Sequence, residues 1–373
     1  MSEKLKKKLL FTPGPLNTSN TTKKSTLIDL GSRDKDFIRI NKSLFDNILK
    51  LGNANKGYVC LPIQGSGTFG LEATFSTLLT NKSKVLILTN GIYANRLITI
   101  CKKIKKNYLV LKFNENVAMS IDRIEKILFK NKSISHVSVV HCETSSGILN
   151  PLDEISTLCK KYKKKLIVDA MSSFGGIEIN IKKNNIDALV SSANKCLEGI
   201  PGFSFSIIKR TTLSTLKGNA NTLSLDLFDQ WKGFLKNKQW RFTPPTHSIV
   251  ALTSALEELK KEGGIKNRNK RYKKNYQTLI NGMNKMGFKC YLDNNLHSPI
   301  IISFQMPRHS KFNFNSFYNN LSELGFIIYP GGMTNKKTFR IGCIGNIYPK
   351  HIKMLLKQIK KVLLKMNIKY LSI

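Results

Sequence analysis

Short apolar runs recur along this chain, at 85–88, 108–111, 137–140, 166–168 and 188–190, and they restrict its folding more than any other feature. A strand that is apolar on both sides has no face to offer water, so it must lie inside a sheet covered above and below, as parallel strands do. Between these runs, 96–105 and 121–129 carry apolar residues at helical spacing with lysines opposite, the pattern of helices that would cover such a sheet. The alternation predicts an α/β fold with a mainly parallel sheet.

With 373 residues the chain is long enough for more than one structural unit. After Pro244-Pro245 a helical stretch at 247–262 is closed by Gly263-Gly264, and a second, lysine-rich one follows at 267–286. Beyond it, candidate strands at 288–292, 300–304, 326–329 and 339–342 and helices at 315–324 and 350–366 read as a small α+β domain. The expected division is an N-terminal segment 1–15, a large domain 16–262 and a small C-terminal domain 263–373.

The formal net charge is +38. Taken alone, such a value suggests an anionic partner such as nucleic acid. The excess is nearly all lysine, however, spread from Lys4 to Lys369 in short runs such as Lys163-Lys164-Lys165, with no nucleic-acid-binding signature beside it. A solvated surface is the expected reading, with some steering of anionic substrates; a nucleic-acid binder keeping an inactive enzyme fold is the rival. No run approaches the length of a membrane span, and Leu9-Leu10-Phe11 is too short for a signal peptide, so a soluble cytoplasmic protein is expected. Seven scattered cysteines without a Cys-x-x-Cys pair predict reduced thiols and no metal site.

Three places could carry chemistry. Gln64-Gly65-Ser66-Gly67-Thr68 precedes a helical stretch at 70–79, so hydroxyls and free backbone N–H groups converge where an anion could bind; an ordinary capped turn is the alternative. Asp169 ends an apolar strand and so lies at the carboxyl edge of the sheet, where it could hold a protonated ring nitrogen or merely cap the next turn. Twenty-six residues on, Lys195 follows the next strand among small neighbours, Ser191-Ser192-Ala193-Asn194. Almost any other lysine here would be a surface group, but a desolvated one has a lowered pKa and attacks carbonyls to form imines.

A phosphate turn, a strand-end aspartate and a lysine flanked by small residues, in that order, resemble the class V aminotransferases, pyridoxal 5'-phosphate enzymes of fold type I. Longer words narrow the likeness to the members that act on 2-aminoethylphosphonate and pyruvate. They are Thr12-Pro13-Gly14-Pro15, Gln64 to Phe69, His141-Cys142-Glu143-Thr144, Asp169 to Gly176, Ser191 to Cys196, Leu223 to Leu227, Trp240 to His247 and Phe339-Arg340-Ile341-Gly342. The resemblance implies a large domain with a mainly parallel seven-stranded sheet, a small C-terminal α+β domain, and a homodimer with active sites at the subunit interface.

It further implies Lys195 as the Schiff-base lysine and Asp169 as the partner of the ring nitrogen. Ser66, Gly67 and Thr68 would hold the cofactor phosphate, with Thr243 reaching it from the other subunit. Tyr93 would stack on the ring, though a core aromatic is its bland alternative; Thr144 or Ser145 would touch the ring hydroxyl, and Asn194 would flank the lysine. Arg340 would bind the substrate's acid group, a structural ion pair being the alternative. The implied reaction is a ping-pong exchange giving phosphonoacetaldehyde and L-alanine, run in the degradative or the phosphonate-building direction. An alanine:glyoxylate or serine:pyruvate type of transamination is the nearest rival. Arg33, Glu198 and Gly332 stand where that family often has tryptophan, glutamine and lysine, which bears on substrate preference.

Overall fold

The apolar runs become adjacent strands of one sheet. A computed structural model of the protein describes residues 7–332 and 336–371. Its largest sheet has seven strands, side by side in the order Tyr58–Gln64, Phe203–Lys209, Ala188–Ser192, Lys165–Asp169, His136–Val140, Lys84–Thr89 and Asn107–Lys112. From Ala188–Ser192 to Asn107–Lys112 every pair is parallel. Phe203–Lys209 runs antiparallel to both of its neighbours.

Successive side chains of each strand enter opposite cores, as the two-residue period requires. Leu86, Leu88, Val137, Val139 and Leu189 pack on one face with residues of the helices Lys35–Leu51, Ile121–Lys130, Leu152–Lys161 and Thr246–Lys261. Val85, Ile87, Ile167 and Val190 pack on the other with the helices Gly67–Leu78, Ile92–Lys103 and Leu227–Asn237. Each fully buried Leu, Ile or Val is worth ~1.5–3 kcal/mol, so the two apolar layers hold the sheet between its helices.

Two strands carry no plain signal in the sequence. Tyr58–Gln64 contains Pro62, which cannot donate to a ladder; the strand is tolerated because it forms the edge of the sheet. Phe203–Lys209 begins Phe-Ser-Phe-Ser, an alternation that suggests one wet face, yet it is buried along most of its length because helices cover both sides.

Toward the C-terminus, Ile301–Gln305, Thr338–Gly342 and Tyr329–Pro330 form an antiparallel sheet covered by the helices Gly264–Lys285, Phe314–Glu323 and Pro349–Lys365. Two sequence expectations need correction here. Residues 288–292 are not a strand: only a single bridge joins Cys290 to Phe304, because the Phe288 ring turns into an aromatic core 5.6 Å from that of Phe339. The strand expected at 326–329 is divided, since Phe326–Ile327 pairs in parallel with Leu9–Leu10 while Tyr329–Pro330 pairs with Thr338–Gly342.

All seven cysteines are free, six of them buried. Among the described residues no helix is long and apolar enough to cross a membrane.

Candidate active site

The parallel strands deliver their carboxyl ends to one crevice. From Lys84–Thr89 the chain passes outward to Asn107–Lys112, then returns to the other side for His136–Val140, Lys165–Asp169 and Ala188–Ser192. Such a reversal opens a cleft above the strand ends, the usual ligand position in open α/β sheets. A pocket there is lined by Ser66, Gly67, Thr68, Tyr93, Thr144, Asp169, Asn194 and Lys195, eight of the residues singled out from the sequence.

Lys195 is the centre of this pocket. Burial pushes its ammonium down to about 8, against an opposing pull from Asp169, while the positive charges of Arg96 and Arg340 push the same way as burial. Its Nζ donates to the carbonyl of Pro13 at 2.8 Å. The segment around Gly14 crosses the lysine so closely that a Cβ there would come 2.7 Å from Lys195 Cδ and Nζ, and the φ of +121° is itself a glycine conformation. Gly14→Ala is therefore expected to displace the lysine amine and lower turnover at least tenfold, equivalent to about 1.4 kcal/mol. Wild-type turnover in that variant, measured at saturating substrate, would contradict this packing argument.

Asp169 is 4% exposed, and burial raises its carboxyl to about 6. One oxygen, Oδ1, accepts from the Met171 N–H at 2.9 Å; among the described residues no hydrogen-bond donor is paired with the other. Ser192, also in the pocket wall, has a buried Oγ without a partner. Ser66 is the N-cap of Gly67–Leu78 but makes no side-chain capping bond, and while the Phe69 N–H donates to the Ser66 carbonyl, the Ser66 hydroxyl and the N–H groups of Gly67 and Thr68 have no partner among the described residues and can meet an anion.

Arg96, on the helix Ile92–Lys103, has no distinguishing signal in the sequence, yet it lines the pocket. It donates from Nη1 to Thr68 Oγ1 at 3.1 Å and lies over the Tyr93 ring, 4.9 Å from its centroid. Glu143 was also passed over as a functional group. Fully buried beneath the pocket, it accepts from the Ala94 N–H at 3.0 Å and from Ser145 Oγ at 2.6 Å, so it anchors the helix that presents Tyr93 and Arg96.

Three singled-out residues lie outside the pocket wall. Ser145 is committed to Glu143, which leaves Thr144 as the hydroxyl in the pocket. Arg340 is buried behind Thr144, donating from Nη1 to the Thr144 carbonyl at 2.9 Å and from Nε to the Pro330 carbonyl at 3.0 Å. Gly332 packs against its guanidinium: a Cβ there would meet Cζ at 3.3 Å. Thr243 lies elsewhere, in a surface cavity with Arg33 and Phe242. Glu198 turns away from the pocket, into a buried cluster with Arg271 and Tyr272.

A desolvated lysine sharing a pocket with a buried carboxylate that keeps one oxygen without a donor, and with an anion cradle, defines a site for amine chemistry on a phosphorylated carbonyl cofactor. Class V aminotransferases are the family whose model matches residues 19–326, and the chain belongs to it as a pyridoxal 5'-phosphate enzyme. Among curated proteins it is 43% identical, over 91% of both chains, to the 2-aminoethylphosphonate--pyruvate transaminase of Pseudomonas aeruginosa. It is 42% identical to the 2-aminoethylphosphonate--pyruvate transaminase 1 of Cupriavidus pinatubonensis over 96% of this chain and 95% of that one. Among solved structures, the ureidoglycine-glyoxylate aminotransferase of Bacillus subtilis superposes with a TM-score of 0.90 at 22% identity, over 99% of this chain and 96% of the other, a likeness of fold.

The pocket fits that cofactor. The free hydroxyl and N–H groups at Ser66 to Thr68 suit its phosphate, with Arg96 as a nearby counter-charge, and the unpaired Asp169 oxygen suits the protonated ring nitrogen.

Proposed function

We propose that this enzyme transfers the amino group of 2-aminoethylphosphonate to pyruvate, giving phosphonoacetaldehyde and L-alanine. The relatives that carry this reaction in their names match nearly the whole chain, and the observation that best supports it here is Arg340. Its guanidinium has five N–H groups; two are taken by the carbonyls of Thr144 and Pro330, which fix its plane, and among the described residues no acceptor is paired with the other three. A planar donor fork held in this way can pair with a phosphonate in one half-reaction and a carboxylate in the other.

Pyridoxal phosphate, when bound, supplies the carbonyl that takes up the amine and the ring that accepts the electron pair of the broken C–H bond. Lys195 is the proton carrier: its neutral Nζ can take the proton from the substrate carbon that bears the amine. Asp169 keeps a proton on the ring nitrogen, since a carboxylate in a dry pocket gains more from that contact than it would in water. Thr68 and Arg96 would hold the phosphate, Tyr93 would stack on the ring, Thr144 would meet the ring hydroxyl and Asn194 would flank the lysine.

Thr243 serves a second copy of the chain in this reading. It lies outside its own pocket, in a surface cavity flanked by Phe69 and Phe242, both about half exposed, and apolar groups so placed suit a subunit interface. A homodimer is the expected state, and sedimentation of the holoenzyme at the monomer mass would overturn it.

The test of the reaction is a titration of the purified holoenzyme with 2-aminoethylphosphonate, followed by the cofactor absorbance. Conversion to the aminated band, and its reversal by pyruvate with release of alanine, is the expected result. A band that ignores this amine but responds to serine or alanine would keep the cofactor and overturn the substrate.

A further inference from the structure

One helix carries the polar groups that tie the catalytic segments together. Gly264–Lys285 points Arg268, Asn269, Arg271, Tyr272 and Asn275 at the rest of the molecule, and four of these five are buried. Arg268 Nη1 donates to the Cys196 carbonyl at 3.0 Å, next to Lys195. Asn269 Nδ2 donates to the Gly176 carbonyl at 2.7 Å, in the turn that follows Asp169. Arg271 Nη1 donates to the carbonyls of Gly345 at 2.6 Å and Ile347 at 3.1 Å, and Asn275 Nδ2 to that of Cys343 at 3.0 Å, in the segment that follows Arg340. Lysine, aspartate and arginine are thus referred to one rigid element.

Glu198 is the hub of this arrangement. Its Oε1 accepts from Arg271 Nη2 at 2.8 Å and from the Tyr272 hydroxyl at 2.6 Å, and Arg268 Nη2 lies 3.9 Å from Oε2. Glu262, 23% exposed, completes the cluster by pairing with both arginines, so a buried and a half-buried carboxylate face two buried guanidiniums. Removing one partner from such a cluster leaves a buried charge uncompensated. The Glu198 backbone also has a left-handed φ of +62°, a conformation a glycine would adopt more easily. A glutamate held there is explained by its side chain: the left-handed turn aims the carboxylate at the arginines. The same turn closes on the catalytic lysine, since the Glu198 N–H donates to the Lys195 carbonyl at 2.8 Å and the Gly199 N–H to that of Ala193 at 2.9 Å.

We infer that Glu198 is a positioning residue, clamped by Arg271 and Tyr272 so that the turn carrying Lys195 keeps a fixed offset from the strand carrying Arg340. The inference rests on the roles given above to those two residues. Glycine at 198 relieves the backbone and deletes the clamp, whereas glutamine keeps an acceptor for Arg271 and Tyr272. With Glu198→Gly, kcat is expected to fall tenfold or more while KM for either acid changes less than about threefold, and Glu198→Gln is expected to restore most of it.

Hydrogen exchange of the two apoproteins supplies a readout that needs neither cofactor nor turnover. Peptides covering 193–202 should exchange at least tenfold faster in Glu198→Gly than in wild type, with the central strands unchanged. Unaltered exchange in that turn, or faster exchange throughout the molecule, would overturn the positioning role. Inactivity of the wild-type holoenzyme toward 2-aminoethylphosphonate would instead overturn the proposed reaction and leave the exchange result to decide the clamp.

Discussion

Lys195→Ala is expected to lower turnover by roughly four orders of magnitude or more while leaving the fold intact, because the side chain both holds the cofactor and carries the proton. The fold should survive, since the amine is itself a burden: burial pushes its pKa down to about 8, and among the described residues its one hydrogen bond goes to a backbone carbonyl. The same burial makes the lysine recognisable in the apoprotein. At pH 7 about a tenth of an amine with a pKa of 8 is neutral, roughly 300 times the share of a free lysine. Acylation followed by mass spectrometry should therefore mark Lys195 with a midpoint near pH 8, while the surface lysines stay unreactive until well above it. Activity above a few per cent in the alanine variant, or a midpoint at the ordinary lysine value, would end the assignment.

Asp169→Asn is the second large effect. The amide keeps the shape of the carboxylate and an acceptor for the Met171 N–H, but it removes the charge that favours a protonated ring nitrogen. Loss of one oriented electrostatic contact in a dry pocket is worth ~2.7–4 kcal/mol in the transition state, so kcat should fall roughly 10²- to 10³-fold. The pH behaviour follows from the raised carboxyl. Burial raises the Asp169 carboxyl of the apoprotein to about 6, so below that value it is protonated and no longer offers the carboxylate that pairs with a protonated ring nitrogen. Cofactor affinity of wild type should accordingly weaken as pH falls through about 6, a dependence the asparagine variant should lack. Equal kcat for the two proteins would show that Asp169 is only a turn cap.

Asp169 and Lys195 were legible in the sequence because the strands before them are: an apolar run that ends in a carboxylate, or leads into a lysine among small residues, places that group at a sheet edge whatever the rest of the chain does. Ser66 to Thr68 were legible for the same reason, as glycines and hydroxyls just before a helix. Arg96 was not. In a chain so rich in cations it looks like any other solvated group, and only the meeting of its helix with the one starting at Gly67 turns it toward Thr68 and Tyr93. Of Thr144 and Ser145, adjacent and alike, the pocket takes the first because the buried Glu143 takes the second.

The period of the apolar residues was enough to read the layered α/β architecture and to place Asp169 and Lys195 at the strand ends. Both are local, since a few residues of pattern are enough to fix which face or which end a side chain occupies. Only the tertiary structure decided what depends on segments distant in the chain. It laid Gly14 across Lys195, divided the strand expected at 326–329 between Leu9–Leu10 and Thr338–Gly342, and turned Glu198 from the pocket into the arginine cluster. The physical reason is that such contacts are set by how whole elements pack and by which buried charges must find partners, and neither is written in the spacing of neighbouring residues.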